Sequence, residues 1–110
     1  MTQPRNVSAS EALDLHAQGA MLLDVREAHE FDAGHAPRAV HVPLSELPDQ
    51  LHLLPANRLI ICVCRSGGRS TRASEFLAEK NYDVANLDGG MLAWAAFDAP
   101  LEGHDEPSIL

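Results

Sequence analysis

The sequence contains few cysteines and no long apolar run. Two cysteines among 110 residues are too few for a disulfide scaffold, so each is interpreted separately, as core packing or as a reactive thiol. No stretch approaches the roughly 18 consecutive apolar residues of a membrane span, and the first ten residues lack the basic-then-apolar order of a secretory signal. We therefore expect a cytoplasmic protein with no membrane partner.

Basic residues are also scarce. Eight lysines and arginines face 16 acidic residues, which gives a formal net charge of -8. This excess of negative charge argues against nucleic acid as a partner. The length and the 45% hydrophobic content suit one compact domain. We expect a single domain over residues 1–110, with a core from about 7 to 102 and a polar, solvated tail at 103–110.

Short apolar blocks that predict strands alternate with helical patterns. The strands are expected at "AMLLDV", "AVHV", residues 59–63 and "DVANL", and the second block of helical pattern ends at Gly34. Residues 59–63 are apolar without alternation, which is typical of a strand covered on both faces. The alternation predicts an α/β domain whose mainly parallel central sheet is flanked by helices on both faces.

The expected helices have recognisable ends. Ser8 and Glu11 predict a capping box at the start of the first long helix, and Gly19 predicts its end. Ser45 is expected to cap a helix that runs to about Leu53. A further helix is predicted over residues 69–80, and the last one carries four large apolar residues: Met91, Leu92, Trp94 and Phe97.

Cys64 ends the strand that looks most buried. Ligands of open α/β sheets bind at the carboxyl edge of the strands, and this is where Cys64 is expected. The glycines that follow allow a tight loop whose amides converge on an anion, with the N-terminus of a helix behind them. Such surroundings lower the pKa of a thiol. The pattern predicts a nucleophilic Cys64 and a binding loop made of Arg65, Ser66, Gly67, Gly68 and Arg69.

The residues from Cys64 to Arg72 include three of the eight basic residues and no acid. The planar guanidinium group of arginine can donate two parallel hydrogen bonds to a small oxyanion. We therefore expect a substrate that is anionic at one end and is attracted by Arg65 and Arg69, whereas Arg72 is expected to lie on the solvated face of the helix.

Other residues that can carry chemistry are expected to be structural. Cys62 and Trp94 are expected in the core. A Cys62–Cys64 disulfide is disfavoured because Cα atoms two residues apart in a strand are about 6.5 Å apart. No metal or cofactor is predicted, since "CVC" lacks the usual zinc spacing and three histidines are scattered over a turn, a loop and a strand: His29, His35 and His41.

Three segments, "LLDVREAHEFDAGHAPRAVHVP", "CVCRSGGRSTRAS" and "LDGGMLAW", resemble in order and spacing the signatures of single-domain rhodanese-like sulfurtransferases. The resemblance implies that Cys64 takes a sulfane sulfur from a small anionic donor such as thiosulfate, becomes a persulfide, and passes the sulfur to cyanide or a thiol, with a sulfur-accepting protein as a further candidate. The chain has Arg38 and Asp98 where the family commonly has glycine. Aspartate tolerates the left-handed conformation better than arginine, so the shape of the Arg38 turn is left open.

Two alternatives belong to other functional classes. Phosphatases related to this fold use a cysteine loop with one more residue between the cysteine and the arginine than the four between Cys64 and Arg69. Many of them also carry histidine where this chain has Val63. Non-catalytic modules of the fold typically lack the loop cysteine, which is present here.

Overall fold

A computed structural model describes residues 4–110 as a five-stranded sheet with helices on both faces. The strands are β1 Arg5–Val7, β2 Met21–Asp24, β3 Val40–His41, β4 Ile60–Val63 and β5 Val84–Leu87. They lie in the order β1-β5-β4-β2-β3, and every neighbouring pair is parallel. The central strand β4 is buried at each residue, as its apolar sequence predicts.

The helices are α1 Ala9–Ala17, α2 Ala28–Ala33, α3 Gly68–Glu79 and α4 Gly90–Ala96, together with two 3-10 helices at Leu44–Asp49 and Leu51–Leu53. One core lies between the sheet and the two helices α1 and α4. The other lies between the sheet, α3 and the first 3-10 helix. The predicted α/β architecture is therefore confirmed. Among the described residues, no helix is long and apolar enough to cross a membrane.

The ends of α1 and α2 follow the sequence signals. The Ser8 hydroxyl accepts a hydrogen bond from the Glu11 amide at 3.1 Å, and the Glu11 carboxylate accepts one from the Ser8 amide at 3.0 Å. This capping box confirms the predicted start of α1, and a cap of this kind is worth about 1 kcal/mol. Gly34 ends α2, also as predicted.

The predicted helix from Ser45 to about Leu53 is wrong. Two short 3-10 helices take its place, and Ser45 lies inside the first of them without capping it. Pro48 has no amide hydrogen and disfavours helical angles in the residue before it, so a continuous α-helix cannot form through this segment. The short strand β1 was not predicted, because three residues carry too little pattern.

The last helix buries only part of its apolar surface. Met91 and Trp94 are buried, whereas Leu92 is 40% exposed and Phe97 is 51% exposed. Trp94 is a core residue, as predicted, and its indole N–H donates to the Pro100 carbonyl at 2.8 Å.

Left-handed backbone angles occur at both positions where the chain lacks the glycine that is common in the family it resembles. Arg38 has φ 64° and Asp98 has φ 59°. The turn at Arg38 therefore keeps a left-handed geometry, which costs an arginine about 1 kcal/mol relative to glycine.

The segment 103–110 does not extend freely into solvent. Most of its side chains are exposed, as expected for a solvated tail, but its backbone is bonded to the end of α2. The Ser108 amide donates to the Ala33 carbonyl at 2.9 Å, and Ile109 packs against the core beneath α1 and α4. The tail thus lies beside the carboxyl edge of the sheet.

Candidate active site

Cys64 follows the last residue of β4 and begins a loop that leads into α3. The loop is anchored on its other side by α4, because the Met91 amide donates to the Cys64 carbonyl at 2.8 Å and the Leu92 amide to the Arg65 carbonyl at 3.0 Å. Gly90 makes this approach feasible. A Cβ there would lie 2.5 Å from the Cys64 carbonyl oxygen, which leaves no space for a side chain.

Hydrogen-bond donors of the loop and of α3 face the sulfur of Cys64. The Gly67 amide lies 3.1 Å from Sγ, and the Ser70 hydroxyl lies 3.3 Å from it. Gly67 has φ 124°, an angle that residues with a side chain rarely adopt, so the loop requires glycine at this position. The loop therefore folds around Sγ in the manner that its glycines predict.

The surroundings of Cys64 lower the pKa of its thiol. Burial raises that pKa, but the hydrogen bonds from the Ser70 hydroxyl and from the Ser70, Gly67 and Ser66 amides lower it further than burial raises it. Donors that stabilise the charged form shift the equilibrium toward thiolate. Because the thiolate is the nucleophilic form of cysteine, the loop activates Cys64.

Ser70 was missed by the sequence analysis. It is fully buried in the first turn of α3, and its hydroxyl lies between Cys64 Sγ and the Gly67 carbonyl, at 3.3 Å from each. A serine on the side of α3 that carries the buried Ala73 and Leu77 is a polar residue in an apolar stripe. This polar residue in an apolar stripe was the sequence signal that could have identified Ser70.

Glu30 is the second residue that the sequence analysis missed. Its carboxylate accepts two hydrogen bonds from the Arg69 guanidinium, at 2.7 Å and 2.9 Å. The hydrogen bonds from Arg69 are the main cause that holds the pKa of Glu30 at about 2. Arg69 is therefore not the unpaired cation that the loop composition suggests, and it ties the loop to α2.

A buried ion pair fixes α2 in this position. The Arg26 guanidinium bonds the Asp24 carboxylate at 2.7 Å, and both side chains are fully buried. The same guanidinium donates to the Gly34 carbonyl at 2.8 Å. One arginine thus joins the end of β2 to the end of α2, which presents Glu30 to Arg69.

The remaining predicted loop residues lie nearer the solvent. Ser66 and Gly68 are exposed, and the exposed Arg65 donates from Nε to the carbonyl of Leu110. Arg72 is exposed on α3, as expected. Within residues 4–110 neither Arg65 nor Arg72 forms an ion pair. Arg65 is therefore the one loop cation that is paired with no acidic side chain in that range.

Cys62 occupies the core on the α3 side of the sheet, as predicted. Burial raises the pKa of its thiol to about 12, with a smaller contribution from neighbouring Cys64, and both cysteines are free. Two of the histidines stack on Phe31 with ring centroids 3.8 Å and 4.5 Å away, His35 and His41 respectively. In the described part of the chain, no group of three or more histidine, cysteine or acidic side chains is placed to hold a metal.

The rhodanese-like domain family matches residues 8–97, a range that contains β4, the Cys64 loop and α4. The chain belongs to the rhodanese-like family. It is 34% identical over 85 residues to a sulfurtransferase of Allochromatium vinosum, covering 76% of this chain and 79% of the relative. It is 32% identical over 97 residues to the thiosulfate sulfurtransferase GlpE of Pseudomonas savastanoi pv. phaseolicola, covering 87% of this chain and 92% of the relative.

Solved structures agree with the family. A rhodanese-like domain protein from Staphylococcus aureus superposes with a TM-score of 0.82 at 29% identity, covering 92% of this chain and 99% of that protein. The rhodanese-like domain thus accounts for the parallel sheet and for the loop at its carboxyl edge, and the two relatives described above are named sulfurtransferases.

Proposed function

We propose that the protein is a sulfurtransferase that carries sulfur as a persulfide on Cys64. The observation that carries the proposal is the convergence of the Gly67 amide and the Ser70 hydroxyl on the Cys64 sulfur. These donors stabilise a thiolate in the resting protein. They also suit the terminal sulfur of a persulfide, which carries the same charge one bond further out.

The proposed reaction has two displacement steps. The Cys64 thiolate attacks the sulfane sulfur of thiosulfate, a new S–S bond forms, and sulfite leaves with the electron pair of the broken S–S bond. The outer sulfur of the resulting persulfide is then attacked by cyanide or a thiol, and the Cys64 thiolate leaves. A covalent intermediate of this kind divides one difficult transfer into two easier ones.

Each loop residue has a proposed role. The amides of Ser66, Gly67 and Gly68 form the anion cradle, and Arg65 attracts the donor. Arg69 holds the loop against α2 through Glu30. Only small donors suit the site, because Cys64 is 1% exposed. The thiosulfate sulfurtransferase named among the relatives supports thiosulfate as the first donor to test.

Mass spectrometry of the purified protein after incubation with thiosulfate tests this proposal. We expect a gain of one sulfur atom, about 32 Da, on Cys64, and its loss when cyanide or a small thiol is added. The matched control is Cys64→Ser, which should gain nothing. Absence of the added sulfur from the wild-type protein, or its presence on the variant, would contradict the mechanism.

The phosphatase alternative is not favoured by the structure. Four residues separate Cys64 from Arg69, Arg69 is bonded to Glu30 instead of facing the loop alone, and Cys64 is nearly inaccessible. We expect no Cys64-dependent hydrolysis of an aryl phosphate. Efficient hydrolysis that is lost in Cys64→Ser would reverse the order of the two functions.

A further inference from the structure

Glu30 places a buried negative charge at the base of the active-site loop. Its side chain is 11% exposed, against 34% for that of Arg69, and both carboxylate oxygens face the arginine fork. Bidentate pairs of this kind are among the strongest in proteins and fix the relative orientation of the two groups. The charge of Arg69 is therefore compensated before any substrate arrives.

Arg69 is close enough to Cys64 for their charges to interact. It lies one residue before Ser70, whose hydroxyl bonds Sγ, and the Cys64 thiolate contributes to the raised pKa of Arg69 after the larger effects of Glu30 and of burial. An anion that approaches Sγ therefore interacts with both members of the Glu30–Arg69 pair. The attraction by Arg69 is opposed by the repulsion from Glu30.

We propose that Glu30 is a specificity-determining residue which, by neutralising Arg69, disfavours doubly charged sulfur donors relative to singly charged or neutral ones. The proposal rests on the proposed function for its choice of donors. Its physical basis is that a Coulomb interaction scales with the charge of the incoming group. Removing the negative charge of Glu30 therefore changes the interaction energy of a dianion twice as much as that of a monoanion. The interaction energy of a neutral reagent does not change.

Glu30→Gln removes the charge and keeps the shape. The glutamine carbonyl can still accept from the Glu27 amide, which the carboxylate does at 3.0 Å, and from one nitrogen of Arg69. Glu79→Gln is the matched control. It removes the same charge from the exposed other end of α3, about 16 Å along the helix from the loop.

The first measurement does not depend on sulfur transfer. The rate of Cys64 alkylation is compared between iodoacetate, an anion, and iodoacetamide, its neutral analogue. We expect Glu30→Gln to raise the iodoacetate to iodoacetamide rate ratio about two- to fivefold at low salt, and less at high salt because exposed charges are screened. Glu79→Gln should leave the ratio within about 1.5-fold of wild type. An unchanged or lower ratio in Glu30→Gln would overturn the proposal.

The second measurement uses two sulfur donors. For thiosulfate, a dianion, we expect Glu30→Gln to raise kcat/KM about four- to 25-fold, and for cysteine persulfide, whose net charge is one negative, about two- to fivefold. Equal losses with both donors and an unchanged alkylation ratio would show that Glu30 is only structural, and the proposal would be wrong. If the alkylation ratio rises but thiosulfate loads sulfur onto no form of the protein, the charge role is supported and the proposed function fails.

Discussion

Cys62 lies in β4 and Cys64 is the first residue after that strand, and the thiols of the two residues have opposite properties. Both contribute to the core between the sheet and α3, and they are 0% and 1% exposed. Burial raises the pKa of Cys62 to about 12. The pKa of Cys64 is instead lowered, because hydrogen bonds from Ser70, Gly67 and Ser66 exceed the opposing effect of burial.

The comparison shows that burial does not decide which cysteine reacts. The difference lies in the residues that surround each sulfur. Cys62 is enclosed by the strands on either side of β4 and by α3. Cys64 stands where the strand has ended, so that backbone amides of the loop and the first turn of α3 are available to its sulfur. A shift of two residues along β4 thus changes a core residue into a nucleophile.

The largest expected difference between the two cysteines is in turnover after each is exchanged for serine. We expect Cys64→Ser to lower thiosulfate turnover by about a thousandfold or more, because a hydroxyl is a far weaker nucleophile at neutral pH. Cys62→Ser should retain turnover, since the hydrogen bonds to the reacting sulfur come from Gly67 and Ser70 and not from Cys62. Initial rates with thiosulfate and cyanide provide the measurement. Persistent turnover in Cys64→Ser would remove Cys64 from the mechanism.

Ser70→Ala weakens the surroundings of Cys64 without touching the thiol itself. Loss of the hydroxyl bond should raise the pKa of Cys64 and lower its alkylation rate near neutral pH about fivefold to tenfold, since hydrogen bonds to charged groups are stronger than neutral ones. Ser74→Ala is the control, because that serine is also buried in α3 but donates to the Thr71 carbonyl at 2.9 Å. Equal rates in the two variants would mean that the amides alone activate Cys64.

Alanine substitutions compare how much each cysteine contributes to the free energy of unfolding. Cys62→Ala should lower the free energy of unfolding by about 1 to 2 kcal/mol, because it leaves a cavity among tightly packed neighbours. Cys64→Ala should cost about 1 kcal/mol more at neutral pH, since it also removes a hydrogen-bonded thiolate whose lowered pKa adds stability to the folded state. Urea denaturation of both variants provides the comparison. A smaller loss for Cys64→Ala than for Cys62→Ala would show that the Cys64 thiolate does not stabilise the folded state.

Arg65→Gln gives the smallest expected effect. As the loop cation that is paired with no acidic side chain in the described residues, Arg65 should favour thiosulfate by about threefold, a typical contribution of an exposed charge near a helix end. Added salt should reduce the difference from wild type. Arg72→Gln, which lies further along α3, should stay close to wild type. A larger loss in Arg72→Gln than in Arg65→Gln would place the anion site elsewhere.

The sequence was sufficient for the features that depend on neighbouring residues. The apolar run before Cys64 predicts β4, the glycines predict the tight loop, and the pair Ser8 and Glu11 predicts the start of α1. Each of these signals lies within a few residues of the structure that it forms. The position of Cys64 at the sheet edge then follows from the topology of parallel strands.

The remaining features depend on contacts between distant segments or on the rotation of a helix. Glu30 lies 39 residues from Arg69, and no local pattern pairs them, so the loop appeared more cationic in the sequence than it is in the fold. Ser70 is beside the loop in sequence, but only the rotation of α3 directs its hydroxyl to the sulfur. The Leu110 carbonyl reaches Arg65 because the tail folds back over α2.

The pH dependence of alkylation at each cysteine tests the central claim most directly. Iodoacetamide rates are followed separately at Cys62 and Cys64 by mass spectrometry over the pH range in which the protein stays folded. Because a lowered pKa increases the thiolate fraction at neutral pH, Cys64 should react with a midpoint below the ordinary range of a free thiol, and Cys62 should remain unmodified throughout. A midpoint for Cys64 at or above that range, or modification of Cys62 at a comparable rate, would contradict the account.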